Sequence, residues 1–171
     1  MIKFKYKGSD FMSKEKSVCF TGHRVVGKDF NLEKLRAYIQ ATISVAGCDT
    51  FIVGGALGFD TIVAKEILRL KDEGQDVKLH VYVPCNNQSE RWSISDKNTY
   101  NEILARADYV YMVDKPYYDG CMRERNYKMV DNASICICYY TGKTSGTSQT
   151  VNYAKRRNLQ IFNVSDLKIK I

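Results

Sequence analysis

The sequence predicts an α/β protein of Rossmann-like, doubly wound type: a mostly parallel sheet with helices on both faces. Apolar runs of strand length alternate with segments of helical periodicity from Ser17 to Val164, the pattern of a sheet buried between two helical layers. Two glycine-bearing loops lie on strand-to-helix junctions, Gly54-Gly55-Ala56-Leu57-Gly58-Phe59-Asp60 and Gly142-Lys143-Thr144-Ser145-Gly146-Thr147. The 171 residues suffice for one domain with a sizeable core.

Ser17 to Thr21 reads as a strand running into Gly22-His23-Arg24. Asn31 caps a helix whose Leu32, Leu35, Ile39, Ile43 and Ala46 share one face, and Gly47 stops it. Thr50 to Val53 leads through the first glycine loop to a helix ending near Gly74. Lys78 to Val83 is a third strand, ended by Pro84. A polar loop from Cys85 to Asp96 then precedes a helix carrying Tyr100, Ile103, Leu104 and Ala107. Tyr109 to Val113 is a fourth strand, and a tyrosine-rich loop separates it from a helix over Met122 to Asn132. A strand from Ser134 to Tyr140, the second glycine loop, a short helix from Ser148 to Arg156 and a strand near Leu159 to Val164 complete the series. Ligands of such sheets bind beyond the carboxyl ends of the strands, where Gly22, Gly54, Pro84, Asp114 and Gly142 emerge.

Residues 1–16 form an extension ahead of a single domain over 17–171. Ile2, Phe4 and Tyr6 alternate with Lys3, Lys5 and Lys7 as in an edge strand. Leu167, Ile169 and Ile171 alternate with lysines in the same way, so the two ends could pair. Residues 1–11 read as an addition to a domain that could begin at Met12, and the alternative to an edge strand is an extension from an upstream start site.

Composition is that of a soluble globular protein, 44% hydrophobic and 26% charged. No apolar stretch reaches the ~18 residues of a membrane span, and the start lacks the apolar core of a signal peptide. A cytoplasmic location with reduced thiols is therefore expected. The six cysteines include no CxxC pair, Cys136 and Cys138 share a strand face, and the two histidines are isolated, so no metal site is expected. The net charge of +7 suits nucleic acid, a small anionic ligand or solubility alike.

A sharp turn into a helix exposes unpaired amides where the macrodipole favours an anion, and glycine leaves room for a phosphate to approach. Gly54, Gly55 and Gly58 in the first loop, with Gly142, Thr144, Ser145, Gly146 and Thr147 in the second, are therefore candidate ligand-binding residues. Asp60 reads as an N-cap or as a partner for a ribose hydroxyl. After the first strand, Thr21 and Gly22 bring Arg24 to a position where it could pair with a phosphate. His23 could bond a ribose, act as acid or base, or cap the turn. Pro84, Gln88 and Trp92 are spaced four apart; the indole could stack a base or fill the seam between helix and sheet. Met122 and Met129 read as core. Arg125, beside Asn126, lies within their apolar stripe and needs an anion, which a ligand phosphate or Asp131 would supply.

Together these segments resemble the YpsA-like branch of the SLOG superfamily, proteins related to the LOG phosphoribohydrolases and to DprA. The matching pieces are CFTGHR at 19–24, GGALGFDTIVAKE at 54–66, P-x3-Q-x3-W from Pro84, RNYKMVDNAS at 125–134 and GKTSGTSQTVNYA from Gly142. The resemblance covers about Ser17 to Val164. It implies a Rossmann-like fold that binds a nucleotide or nucleotide-derived ligand, with no further cofactor, and a homodimer or higher homo-oligomer as among LOG-like proteins. LOG enzymes cleave the N-glycosidic bond of nucleoside monophosphates with an arginine in an RKxxM-like helix and a glutamate in PGGxGTxxE. Arg125 and Met129 match the first motif. In the second, Gly146-Thr147 match, but the glutamate position falls on Thr150. LOG-type hydrolysis is then not expected unless Asp60 or Glu124 substitutes. The reading is a sensor, carrier or sequestering protein for a small phosphorylated ligand, with a nucleotide-processing hydrolase as runner-up. A DprA-like single-stranded DNA binder comes third, because no aromatic series interleaved with basic residues is evident.

Overall fold

A computed structural model describes residues 2–6 by their backbone and residues 13–167 in full. The strands are β1 (Ile2–Tyr6), β2 (Ser17–Gly22), β3 (Thr50–Val53), β4 (Lys78–Val83), β5 (Tyr109–Val113), β6 (Ile135–Tyr139) and β7 (Gln160–Asn163). The helices are α1 (Leu32–Ser44), α2 (Phe59–Asp72), α3 (Ile94–Arg106), α4 (Cys121–Asp131) and α5 (Gly146–Arg156), with a 3-10 turn at Lys14–Lys16. They form one sheet in the order β1-β5-β4-β3-β2-β6-β7. All pairings from β5 to β7 are parallel, and β1 alone runs antiparallel, against β5.

Alternation along the strands divides the core in two. Val18, Phe20, Phe51, Val53, Leu79, Val81 and Ile137 pack with the apolar faces of α1, α2 and α3. Cys19, Ile52, Tyr82, Cys136 and Cys138 pack with Met129, Val130, Val151 and Ala154 of α4 and α5. Strands β3 and β6 are buried along their whole length, as expected for strands covered on both sides. The doubly wound expectation is met, and the chain turns back at β2, whose neighbours β3 and β6 begin the two halves of the sheet. A crevice opens there between the ends of β2 and β6.

Local signals set most boundaries. Asn31 accepts the Lys34 amide at 2.9 Å and starts α1, which ends at Ser44, short of Ala46. Ser145 and Ser148 form a reciprocal capping box, so α5 starts at Gly146, earlier than the sequence placed it. The N-terminal alternation does become an edge strand. It pairs with β5, at the opposite edge of the sheet from β7, whereas the anticipated partners Ile169 and Ile171, like Met12, lie outside the described residues. Among the described residues, no helix is long and apolar enough to cross a membrane.

His80 faces the α4/α5 side of β4, 7% exposed, with its ring 5.1 Å from Tyr109 and no partner on Nδ1. Burial pushes its pKa down to about 4. The folded protein therefore holds the neutral ring while the unfolded chain takes up a proton near pH 6.5, so stability falls as pH drops from 6.5 towards 4. The loss is on the order of 3 kcal/mol from the size of the shift, in a window above that of the carboxylates with lowered values, such as Asp29 and Glu66. Urea titrations at pH 7 and pH 4.5 are expected to show most of this loss, and a His80→Gln variant is expected to flatten it.

Candidate functional site

The residues from four segments meet above the β2/β6 crevice in a cavity of about 210 Å³. Thr21, Gly22, His23 and Arg24 form the wall that leaves β2. Ser145, Gly146 and Thr147 bring the first turn of α5, α4 contributes Met122, Arg125 and Asn126, and the first glycine loop contributes Ala56 and Asp60. Intrahelical bonding in α5 begins with Gln149 donating to the Ser145 carbonyl, so the amides of Gly146 and Thr147 precede the ladder and have no helical acceptor. Gly146 is exposed and a Cβ on it would meet nothing within 4 Å, while Thr147 is 5% exposed.

The first glycine loop serves another purpose than the one its sequence suggested. The Gly54 amide donates to Asp60 Oδ2 at 3.0 Å, and its carbonyl accepts from Arg125 Nη1. A Cβ at Gly54 would overlap the Arg125 guanidinium and crowd Asp60. At Gly58, φ is +77° and a Cβ would run into the Arg24 carbonyl. Neither glycine lines the cavity: both exist to let the loop pack on its own protein. Asp60 does not cap α2, whose N-cap is Gly58 without a side-chain bond. Its carboxylate turns back to the amides of Gly54 and Ala56 and so holds the loop.

Arg125 is 6% exposed. Nη1 also donates to the Tyr82 carbonyl at 3.1 Å and Nε to Asn126 Oδ1 at 2.8 Å. Burial pushes its pKa down and the Asp60 charge pulls it back up. Burial likewise raises Asp60, against the pull of Arg125 and the two loop amides. The counter-charge of Arg125 is thus Asp60. Asp131, the internal alternative raised by the sequence, pairs with Arg157 at 2.8 Å and with the Tyr153 hydroxyl. Asn126 donates to Thr150 Oγ1 at 2.9 Å, and that hydroxyl donates to the Gly146 carbonyl. Thr150, 2% exposed, therefore ties α4 to α5 and stays out of the cavity lining. Glu124 accepts from the Tyr118 hydroxyl in a separate groove of about 960 Å³ along α4. That groove is larger than the cavity above the β2/β6 crevice, but neither glycine loop reaches it.

His23 Nε2 accepts the Thr141 amide at 3.3 Å and lies 3.0 Å from Thr141 Oγ1. Partial burial, with Lys143 nearby, lowers its pKa. It joins the β2 exit to the β6–α5 loop as a neutral ring. Arg24 is exposed and makes no ion pair or side-chain hydrogen bond among the described residues. It lines the small cavity and also an adjoining chamber of about 530 Å³, which holds Gln88 and Trp92. Trp92 lies edge-to-face on Tyr100 at 5.2 Å, so it both fills the seam and lines the chamber. Gln88 Nε2 donates to the Gly55 carbonyl at 2.6 Å. Pro84 is buried and lines neither space, and Gly142 and Thr144 are exposed outside both. The sequence did not single out Ala56, Arg91 or Tyr117, and it read Met122 as core although it lines both spaces. The isolated polar loop around Trp92 was the one signal pointing to Arg91.

Comparison with known proteins gives consistent results. The YpsA family, described as the YspA SLOG family, matches residues 26–170. The SPbeta prophage-derived protein YoqJ of Bacillus subtilis is 31% identical over 139 residues, covering 74% of this chain and 81% of the relative. A UPF0398 protein of Macrococcus caseolyticus is 31% identical over 149 residues, covering 82% and 78%. Among solved structures, DNA processing protein A from Helicobacter pylori, described for its single-stranded DNA binding mode, superimposes with a TM-score of 0.63 at 18% identity. That match covers 88% of this chain but 65% of the other, and it is a likeness of fold.

The contrast between the two glycine loops is open to test. Gly54→Ala is expected to lower stability by about 3 kcal/mol, the upper range for forcing an atom into a packed site. Gly146→Ala is expected to stay within about 0.5 kcal/mol of wild type, as a surface change does. Chemical denaturation of both variants measures this.

Proposed function

The chain belongs to the YpsA family of SLOG proteins, and on that footing we propose that it binds a nucleotide-derived small molecule, with a phosphate group at the first turn of α5, and acts as a sensor, carrier or sequestering protein. The observation that carries this reading is the meeting, at the β2/β6 crevice, of the Gly146 and Thr147 amides, which precede the helical ladder, with the uncommitted Arg24 guanidinium. Amides at a helix start and a guanidinium are complementary to a phosphate in both charge and hydrogen bonding. At about 210 Å³ the cavity lies below the ~300 Å³ lower end of small-molecule pockets. It suits the phosphate end of a ligand, with the rest extending past Arg24 into the chamber beside Trp92 and Gln88.

Binding without turnover fits the carboxylates present. N-glycosidic cleavage develops positive charge on the sugar, which a nearby free carboxylate stabilises. Thr150 stands at the glutamate position of the LOG motif with its hydroxyl committed on both sides. Asp60, the carboxylate in the cavity wall, holds two loop amides on Oδ2 and faces the buried charge of Arg125. The protein's work is then to hold its ligand, alone or in a homo-oligomer.

Three outcomes are expected. Arg24→Ala should weaken binding of a nucleoside 5′-phosphate at least tenfold in calorimetry while leaving stability unchanged, because Arg24 is exposed and unpaired. Affinity should also fall only shallowly with salt, whereas single-stranded DNA held through many phosphates would show a steep slope. Incubation with nucleoside monophosphates should release no free base by chromatography. Turnover abolished by Asp60→Asn would instead establish a hydrolase.

A further inference from the structure

The 530 Å³ chamber holds more positive charge than the phosphate at α5 accounts for. Arg91 joins Arg24 in its lining, and both are exposed with no ion pair or side-chain hydrogen bond among the described residues. Glu90 is the one carboxylate in the lining, and it accepts from Asn87 Nδ2 at 3.3 Å. Aromatic surface is supplied by Trp92 and by Tyr117, which is 60% exposed. The amide of Gln88 is fixed by its bond to Gly55, and its Oε1 is buried without a donor, an acceptor suited to a ring N–H.

A ligand with a single phosphate seated between Gly146 and Arg24 would leave the Arg91 guanidinium facing neutral sugar or ring. Arg24 lines both spaces, so a chain of two linked phosphates can be contacted by it at the junction and by Arg91 beyond. We propose, building on the binding reading above, that the ligand is a nucleotide with at least two phosphates in a row, the second bound between Arg24 and Arg91 and the base placed in the chamber against Trp92. Arg91 is then the residue that tells a diphosphate from a monophosphate, because a guanidinium pairs with phosphate oxygens through two parallel bonds and loses them when the second phosphate is absent.

The test is calorimetry of the purified full chain with the mono- and diphosphates of adenosine, guanosine, cytidine and uridine. For every base that binds, the diphosphate is expected to bind at least tenfold more tightly than the monophosphate. Arg91→Ala is expected to reduce that ratio to within twofold while leaving monophosphate affinity unchanged. Equal affinity of the two phosphates in the wild type would overturn this inference and leave the binding reading standing. So would an Arg91→Ala variant that keeps the tenfold ratio or weakens both ligands equally. Failure of all eight compounds to bind would overturn both.

Discussion

The peptide of Gly54 is gripped from both sides by buried charge. Asp60 of α2 accepts its N–H, Arg125 of α4 donates to its carbonyl, and the space where a side chain would stand is filled by those same two groups. The helices concerned lie on opposite faces of the sheet, so Arg125 reaches across the carboxyl edge and also ties down the end of β4 through the Tyr82 carbonyl. Burying two charges is costly unless each is fully hydrogen-bonded, and removing one partner leaves the other stranded at a cost of about 3–5 kcal/mol. The cavity depends on this lock. Arg125 orients Asn126, Asn126 holds Thr150, and Thr150 bonds the Gly146 carbonyl at the start of α5. A single chain of polar contacts thus runs from the first glycine loop to the second.

This arrangement separates residues that build the site from residues free to meet a ligand. Asp60, Arg125, Asn126 and His23 line the cavity, but each already makes hydrogen bonds to the protein, through Asp60 Oδ2, Arg125 Nε and Nη1, the Asn126 amide and His23 Nε2. The Arg24 side chain and the Gly146 and Thr147 amides make none among the described residues. An anion entering the crevice would therefore find a rigid floor with the uncommitted donors at its rim, which limits the ordering cost of binding.

Much of the fold was legible because its signals are local. Apolar periodicity marked the strands and helices, Asn31 marked the start of α1, and the switch of direction at β2 follows from chain order once the sheet is parallel. Much of the site was legible as well, since residues after β2 and at the start of α5 converge wherever strands end at one edge. What could not be read was the direction of each polar side chain. Asp60 stands where a helix cap would stand, yet it bonds backward into the loop. Arg125 was recognised as needing an anion, but its partner is sixty-five positions away in sequence, between residues that only the folded sheet edge brings together. The role of Gly54 was hidden for the same reason: whether a glycine makes room for a ligand or for its own protein depends on what packs against it.

The most direct test of the proposed site is to locate a bound phosphate by residue. In a titration of the isotope-labelled protein with a nucleoside 5′-phosphate, followed by amide proton–nitrogen correlation spectra, the largest shifts should fall on Gly146 and Thr147, with smaller ones at Gly22 to Arg24. Shifts confined to residues of the α4 groove, such as Tyr127 and Lys128, with Gly146 and Thr147 unmoved at saturation, would contradict it.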